Sequence, residues 1–330
     1  MVSRRDFGKM ALAGLPLAPA LTTARHAMAG PMASGVRLGV ATYSFRDLPR
    51  TPGRDNVDDV IKALQFAGAR EIELWSANTE PAGPNSGPAV PPPHSAYPPP
   101  VKPPSPEEVA AAKLAVRNAL RQWRLGTHAA NQAANHEAFR ARFQAAGINL
   151  FAYRVDYDDQ FTEEEIDVTF QQAKALGVRT VASMTSLSGA RRLAPFAEKH
   201  GITVALHNTA NTKDPDAIST PQSLRSALAL SNNFRLNLDI GHFTAANYEA
   251  VAFIQENHAI ISHIQIKDRT RNGGANERFG EGDTPIKDVL TLLKEKDLPI
   301  PAFVEYEYIG LGTPREEVRK CLAYTSNALA

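Results

Sequence analysis

The chain has 330 residues, of which 43% are hydrophobic and 22% are charged, an ordinary composition for a globular protein. Lysine and arginine (36 residues) nearly balance aspartate and glutamate (35 residues), so the basic excess typical of nucleic-acid-binding proteins is missing. The single cysteine, Cys321, excludes an intrachain disulfide and a cysteine-rich zinc site. The length would hold two average domains, but an α/β barrel uses this much chain as one.

Residues 1–29 predict an export signal. The paired Arg4 and Arg5 are typical of a twin-arginine signal, and Ala27-Met28-Ala29 offers a small-residue cleavage site. The apolar run between them is short and interrupted by proline, so it is not expected to span a bilayer. We expect a periplasmic or otherwise exported protein without a stable membrane anchor, whose domain spans residues 30–330. The alternative is an accidental basic segment ahead of a short helix.

Beyond the signal, short β-branched or aliphatic runs alternate with segments of helix length, at a repeat of about 25 to 35 residues. Such alternation predicts a parallel sheet, and eight units predict a closed (β/α)₈ TIM barrel. A capping hydroxyl followed by proline and acids predicts a helix start at Ser105, and threonine followed three residues later by glutamate predicts starts at Thr162 and Thr313. The eight predicted strands are Arg37–Tyr43, Glu71–Trp75, Ile148–Arg154, Arg179–Met184, Ile202–Asn208, Phe234–Ile240, Ile261–Lys267 and Ala302–Glu307.

One long insertion interrupts the repeat, because about 70 residues separate the second and third strands. Residues 80–104 are rich in proline and poor in apolar side chains, which predicts an extended or polyproline-like loop. The loop follows a strand and so should emerge on the active-site face of the barrel. Two interpretations stay open: a substrate cover that carries His94 and Tyr97, or a disordered insertion.

The last four predicted strands end in ionisable and polar residues. In a parallel barrel these ends meet at one mouth, and alternate residues of a strand share a face. Strands rarely carry so many such groups unless the groups are paired, metal-bound or catalytic. The segments are His207-Asn208, Asp239-Ile240-Gly241-His242, His263-Ile264-Gln265-Ile266-Lys267-Asp268-Arg269 and Glu305-Tyr306-Glu307.

With these motifs in this order, residues 39–308 resemble the sugar isomerase/epimerase branch of the xylose-isomerase-like TIM barrels. The Asp-x-Gly-His and Lys-Asp-Arg motifs and the acid of the eighth strand carry the resemblance, and the first two strands also match. The resemblance implies one divalent metal ion held by strands five to eight. The implied ligands are His207, Asp239, Gln265 and Glu305.

Two ligand positions depart from the family's usual pattern. Glutamate is usual where this chain has His207, and histidine is usual where it has Gln265; His263, two residues deeper, is the alternative to Gln265. Mixed nitrogen and oxygen ligands favour manganese, with zinc or iron as alternatives, over a magnesium cage. A metal-free polar mouth is the competing interpretation.

The resemblance implies a metal-dependent isomerase or epimerase that acts on an unphosphorylated sugar, keto-sugar or cyclitol through an enediolate. Glu305 would remove the carbon-bound proton, with His207 and His242 as the other catalytic residues. The residues expected to bind substrate are Lys267, Arg269, Glu73, Tyr43 and Trp75.

Other interpretations stay open, both for single residues and for the function of the whole protein. Asp268 and Arg269 could form a surface ion pair, Glu307 could only neutralise a neighbouring cation, and Trp75 could be a packing residue. A lyase or dehydratase that eliminates beside a ketone would use the same site. From another class, a non-catalytic periplasmic sugar-binding barrel fits the two replaced ligands. We expect a small carbohydrate as the partner and no nucleic acid.

Overall fold

The computed structural model describes residues 32–33, 35–82, 105–126 and 129–330. The export signal predicted over residues 1–29 and nearly all of the proline-rich segment 80–104 lie outside the described residues. Both therefore stay predictions. Among the described residues, no helix is long and apolar enough to cross a membrane.

Eight parallel strands close into a barrel, which confirms the predicted fold. Strand β1 pairs with β2 on one side and with β8 on the other, and each remaining strand pairs with its neighbours in the chain. Every strand falls within its predicted range, apart from one residue at the start of β1. The strands are β1 (Val36–Ala41), β2 (Glu71–Trp75), β3 (Asn149–Arg154), β4 (Thr180–Ser183), β5 (Thr203–His207), β6 (Phe234–Asp239), β7 (Ile261–Ile266) and β8 (Ala302–Val304).

Helices pack around the barrel and cover the outward-facing apolar residues of the strands. The described part of the chain forms α1 (Val57–Ala67), α2 (Pro106–Leu125), α3 (Ala129–Ala145), α4 (Glu163–Ala175), α5 (Leu187–His200), α6 (Pro221–Leu228), α7 (Ile240–Ala245), α8 (Ala250–Asn257), α9 (Ile286–Glu295) and α10 (Pro314–Leu329). Two short antiparallel pairings lie beside the barrel, one from Met32–Ala33 to β1 and one between Asp268–Arg269 and Asn276–Glu277.

Local sequence signals set several helix ends. Capping boxes form at all three predicted helix starts, Ser105, Thr162 and Thr313, where each side chain and the glutamate three residues later satisfy each other's backbone N–H groups. At the other ends of α1 and α5, Gly68 and Gly201 adopt the left-handed conformation that stops a helix, with φ of 81° and 62°.

Small side chains on adjacent strands make room inside the barrel. Ala152, Ala182 and Ala205 of β3, β4 and β5 are fully buried and contact one another, with Phe151 packed against them. Side chains alternate along a strand, so Ala205 shares the interior face with His207. Polar side chains of β2, β6 and β7 are also buried and hydrogen-bond to one another: Glu73, Asn237, His263 and Gln265.

Candidate active site

The polar ends of four consecutive strands meet at the carboxyl-terminal mouth of the barrel. His207 ends β5, Asp239 ends β6, Lys267 directly follows β7, and Glu305 directly follows β8. Each of these residues is at most 2% exposed. Because parallel strands end at the same rim, the closure of the barrel alone brings these side chains together.

The ammonium group of Lys267 lies at the centre of this group. Its Nζ is 2.5 Å from Oε2 of Glu305, 2.5 Å from Oε2 of Glu307 and 3.1 Å from Oδ2 of Asp239. Nε2 of His242 lies 3.4 Å away. Burial opposes the charge, but the three carboxylates raise the pKa of Lys267 above its ordinary value, so the amine stays protonated.

Glu305 lies between two cations. Its Oε1 accepts a 2.6 Å hydrogen bond from Nη1 of Arg154, while Oε2 pairs with Lys267. Burial alone would raise the pKa of Glu305, but Lys267 and then Arg154 lower it to about 2. The carboxylate is therefore ionised at any physiological pH. Arg154 also donates to Asp156 at 3.1 Å, which fixes the guanidinium between the two acids.

Asp239 is held by the chain on both sides. Its Oδ1 accepts the N–H of His242 at 2.6 Å, which caps α7, and its backbone N–H donates to the side chain of Asn208 at 2.8 Å. Burial opposes ionisation of Asp239, but the adjacent ammonium of Lys267 holds its pKa well below the ordinary value. The Asp-x-Gly-His motif is thus a strand end that turns directly into a helix.

A hydrogen-bonded chain continues from His207 into the barrel interior. Nε2 of Gln265 donates to Oε1 of Glu73 at 2.6 Å, so Oε1 of Gln265 is the acceptor that faces Nε2 of His207 at 2.7 Å. The imidazole must therefore carry its hydrogen on Nε2. Its buried Nδ1 has no hydrogen-bond partner among the described residues, which leaves an acceptor for a substrate hydroxyl.

Glu73 and His263 lie deeper than the mouth. Nε2 of His263 is 2.7 Å from Oε2 of Glu73, and Asn237 donates to the same oxygen at 3.0 Å. The His263 ring packs edge-on against Phe151 and Phe303. Glu73 is the predicted substrate-binding residue and His263 the alternative metal ligand. In the structure these two side chains instead bind each other inside the barrel.

His242 lies nearer to solvent, between two cations. Nη1 of Arg269 donates to its Nδ1 at 2.7 Å, and Lys267 faces its Nε2. Burial and the adjacent Lys267 hold the pKa of His242 well below its ordinary value, so the ring is neutral. Arg269 also donates to the carbonyl of Gly274, which fastens the guanidinium to the following loop.

Asp268 and Arg269 do not form the surface ion pair considered from the sequence. Asp268 is 1% exposed, and its carboxylate accepts backbone N–H groups from Gly280, Gly282 and Thr284 at 2.7 to 3.1 Å. In the Lys-Asp-Arg motif, then, only the first and third residues face the site. The middle residue folds the loop after β7.

An aromatic wall borders the charged group. The rings of Tyr43 and Trp75 meet edge to face at a centroid distance of 4.9 Å, and the guanidinium of Arg154 lies 4.9 Å from the Tyr43 ring. Both rings are half-buried. A cleft of about 1040 Å³ runs from Trp75 and Asp156 along α2, so the site adjoins enough space for a carbohydrate.

Among the described residues, ligand atoms of His207, Asp239 and His242 lie within 4.8 Å of one another, a His/Asp group of the kind that could hold a metal. Glu305, another implied ligand, is outside this group. All three residues already have polar neighbours: His207 binds Gln265, His242 binds a guanidinium, and Asp239 faces Lys267. A divalent ion here would lie beside the Lys267 ammonium and be repelled by it. As arranged, the donors do not fit a divalent ion.

Sequence reasoning missed Arg154 and Asp156, which the structure places beside Glu305. Arg154 ends a predicted strand and is 3% exposed. A charged residue at the end of a strand is the sequence signal that could have identified it as a site residue. Its partner Glu305 is 151 residues away in the chain, so only the folded barrel shows the contact.

A family model described as xylose isomerase-like TIM barrel matches residues 115–327. A search of curated proteins finds no match. The probable 3-DHS dehydratase AsbF from Bacillus anthracis is 12% identical, with 88% of this chain and 98% of that chain covered and a TM-score of 0.56. A sugar phosphate isomerase/epimerase from Parabacteroides distasonis is 13% identical (90% and 96% covered, TM-score 0.55). The IolI protein with a bound zinc atom is 16% identical (88% and 97% covered, TM-score 0.57). These identities show a shared fold, and the family match covers most of the sequence: the chain belongs to the xylose isomerase-like TIM-barrel family.

Proposed function

We propose that the chain catalyses isomerisation or epimerisation of an unphosphorylated sugar, keto-sugar or cyclitol by moving a proton on the carbon beside a carbonyl group. The observation that carries the proposal is the buried, ionised carboxylate of Glu305 beside the ammonium of Lys267 at the barrel mouth. The names of the isomerase/epimerase neighbours support the same reaction class.

Each residue of the site has its own role in this reaction. Glu305 removes the carbon-bound proton, since it is ionised, and Lys267 is the cation nearest to the charge that develops on the substrate. Neutral His242 donates a hydrogen bond to a substrate hydroxyl, and the open Nδ1 of His207 accepts one. Arg269 donates to sugar oxygens. Pairing with two cations makes Glu305 a weak base, so the substrate must draw Lys267 away from it before proton removal.

Tyr43 and Trp75 would stack against the sugar ring, while Glu73 acts from below by fixing Gln265 and so His207. We also propose export through residues 1–29, which favours an unphosphorylated substrate. Manganese, zinc and iron stay predictions, and no step above depends on such an ion.

Elimination beside a ketone is the second candidate. The residue opposite Glu305 is an imidazole instead of a second carboxylate, and a carboxylate with an imidazole suits removal of a proton and protonation of a leaving oxygen. One neighbour is named a probable dehydratase. A product with a conjugated carbonyl absorption would favour elimination over isomerisation.

Proton NMR in D₂O tests the proposal. The protein is incubated with a panel of unphosphorylated aldoses, ketoses and keto-cyclitols, and we expect one substrate to lose the signal of the C–H beside its carbonyl. Glu305→Gln should slow this exchange about 10²- to 10⁴-fold, the range for loss of a general base. Glu307→Gln, the matched variant of the neighbouring carboxylate, should slow it less. Exchange that is unchanged in Glu305→Gln would refute the mechanism.

A further inference from the structure

We infer that Lys267 is the resident cation of this site and that the chain works without a divalent metal ion. The inference deepens the proposed function, because it assigns Lys267 as the group that holds the substrate's carbonyl oxygen. It rests on three features of the described residues: the surroundings of the ammonium, the fixation of its side chain and the hydrogen bonding of the neighbouring donors.

The surroundings of the ammonium are those of a bound cation. Three carboxylates lie within 3.1 Å of Nζ, from Asp239, Glu305 and Glu307, and Nε2 of His242 is 3.4 Å away. The residue is 2% exposed, so water contributes little to its solvation. A buried lysine keeps its charge only where acids compensate it, and here they converge on one atom from two strands.

The side chain of Lys267 is also held in place. A Cβ atom on Gly241 would lie 2.3 Å from Cγ of Lys267 and 2.7 Å from its carbonyl oxygen. The stem of the lysine therefore lies directly against the first turn of α7, where only glycine leaves enough space. Asp239 caps the same helix, so the lysine and one of its acids are positioned by a single turn.

Two of the implied ligands, His207 and Gln265, are engaged in other hydrogen bonds, while Nδ1 of His207 and Oδ2 of Asp239 accept no hydrogen bond among the described residues. His207 donates through Nε2 to Gln265, and Gln265 donates to Glu73, so this chain of hydrogen bonds runs inward. His263 also binds Glu73. Gln265, two residues before Lys267, supplies an amide where histidine is usual in the family. An amide is a weaker ligand than an imidazole for transition metals.

An ammonium supplies the interactions that the proposed reaction needs. It donates up to three hydrogen bonds and carries a full positive charge, so a carbonyl oxygen that replaces one carboxylate around Nζ is polarised as the adjacent C–H is removed.

Metal binding tests the inference without any substrate, so its failure is distinguishable from failure of the proposed reaction. Elemental analysis of the purified full chain should give well below one equivalent of manganese, zinc or iron. Addition of Mn²⁺ or Zn²⁺ at millimolar concentration should leave Tm unchanged, and electron paramagnetic resonance should detect no tightly bound Mn²⁺. One equivalent of metal, with a Tm that falls on chelation, would overturn the inference.

Lys267→Met provides the converse test, since it removes the charge and leaves the carboxylates without their cation. We expect Mn²⁺ to bind this variant about 100-fold more tightly than the wild type. Lys320→Met is the matched control, because Lys320 is 63% exposed although it also pairs with a carboxylate, that of Glu317; it should behave as the wild type. Folded Lys267→Met protein that binds Mn²⁺ no better than the control would contradict the inference. If Lys267→Met does not fold, the wild-type measurements decide the question alone.

Discussion

Replacement of Arg154 by methionine tests whether the buried charge network organises the site. Nη1 of Arg154 donates to Glu305 at 2.6 Å, and the two side chains are 4% and 1% exposed. Loss of one partner from a buried ion pair costs about 3–5 kcal/mol, because the other charge stays buried without compensation. Glu305 keeps Lys267, so we expect the lower end, about 3 kcal/mol.

The assay is urea unfolding at pH 7, followed by circular dichroism, with Lys199→Met as the control. Lys199 pairs with Asp167 at 2.7 Å but is 60% exposed, so its loss should cost less than about 1 kcal/mol. A cost below about 1 kcal/mol for Arg154→Met would show that Arg154 does not stabilise the site.

The same variant should change the dependence of stability on pH. The pKa of Glu305 falls from the reference value of 4.5 to about 2, and each unit corresponds to 1.36 kcal/mol, so ionised Glu305 contributes about 3 kcal/mol at pH 7. Since the folded pKa is depressed, this stability is present above pH 4.5 and is lost as the pH falls towards 2. In Arg154→Met the pKa of Glu305 should rise, and the stability profile should be flatter between pH 5 and 2. Equal slopes in wild type and variant would refute the assignment.

Three further substitutions test other parts of the site. Gly241→Ala places a Cβ 2.3 Å from the Lys267 stem, so it should destabilise the fold by about 1–3 kcal/mol and lower kcat; unchanged turnover would show that the lysine position is not critical. Asp268→Ala leaves three backbone N–H groups without their acceptor and should cost about 1–3 kcal/mol in urea unfolding, whereas a neutral result would mean that water replaces the carboxylate. Trp75→Ala should raise KM for the sugar about tenfold, the equivalent of 1.4 kcal/mol, with a smaller effect on kcat; an equal loss in kcat would instead assign the ring to orienting the reacting atoms.

The barrel could be predicted from the sequence because its signals are local. Strand runs, capping boxes and helix-ending glycines act within a few residues of one another, as at Thr162 and Gly201. The position of the site followed from the fold, since polar residues at the ends of parallel strands must share a rim. The pairing of the polar side chains within the site could not be predicted from the sequence.

The pairing of Arg154 with Glu305 shows why those contacts were missed. It joins β3 to β8 across the barrel, and nothing near Arg154 in the chain distinguishes it from a rim residue. Lys267 is a similar case. A lysine two residues after Gln265 reads as a substrate-binding residue, and only the structure places its ammonium among three acids.

Taken together, the two departures from the usual family pattern agree with the central position of Lys267. Replacement of a glutamate by His207 removes one negative charge from the mouth, which weakens the attraction of the mouth for a divalent ion. Replacement of the usual histidine by Gln265 removes a metal ligand that an ammonium does not need, and the amide instead joins His207 to Glu73. Either replacement by itself would weaken a metal site. A site that lost only its glutamate would carry excess positive charge, and one that lost only its histidine would have too few ligands. With Lys267 in the inferred role, the two replacements are one coordinated change of the site's cation, in which the lysine of the family's Lys-Asp-Arg motif supplies the positive charge.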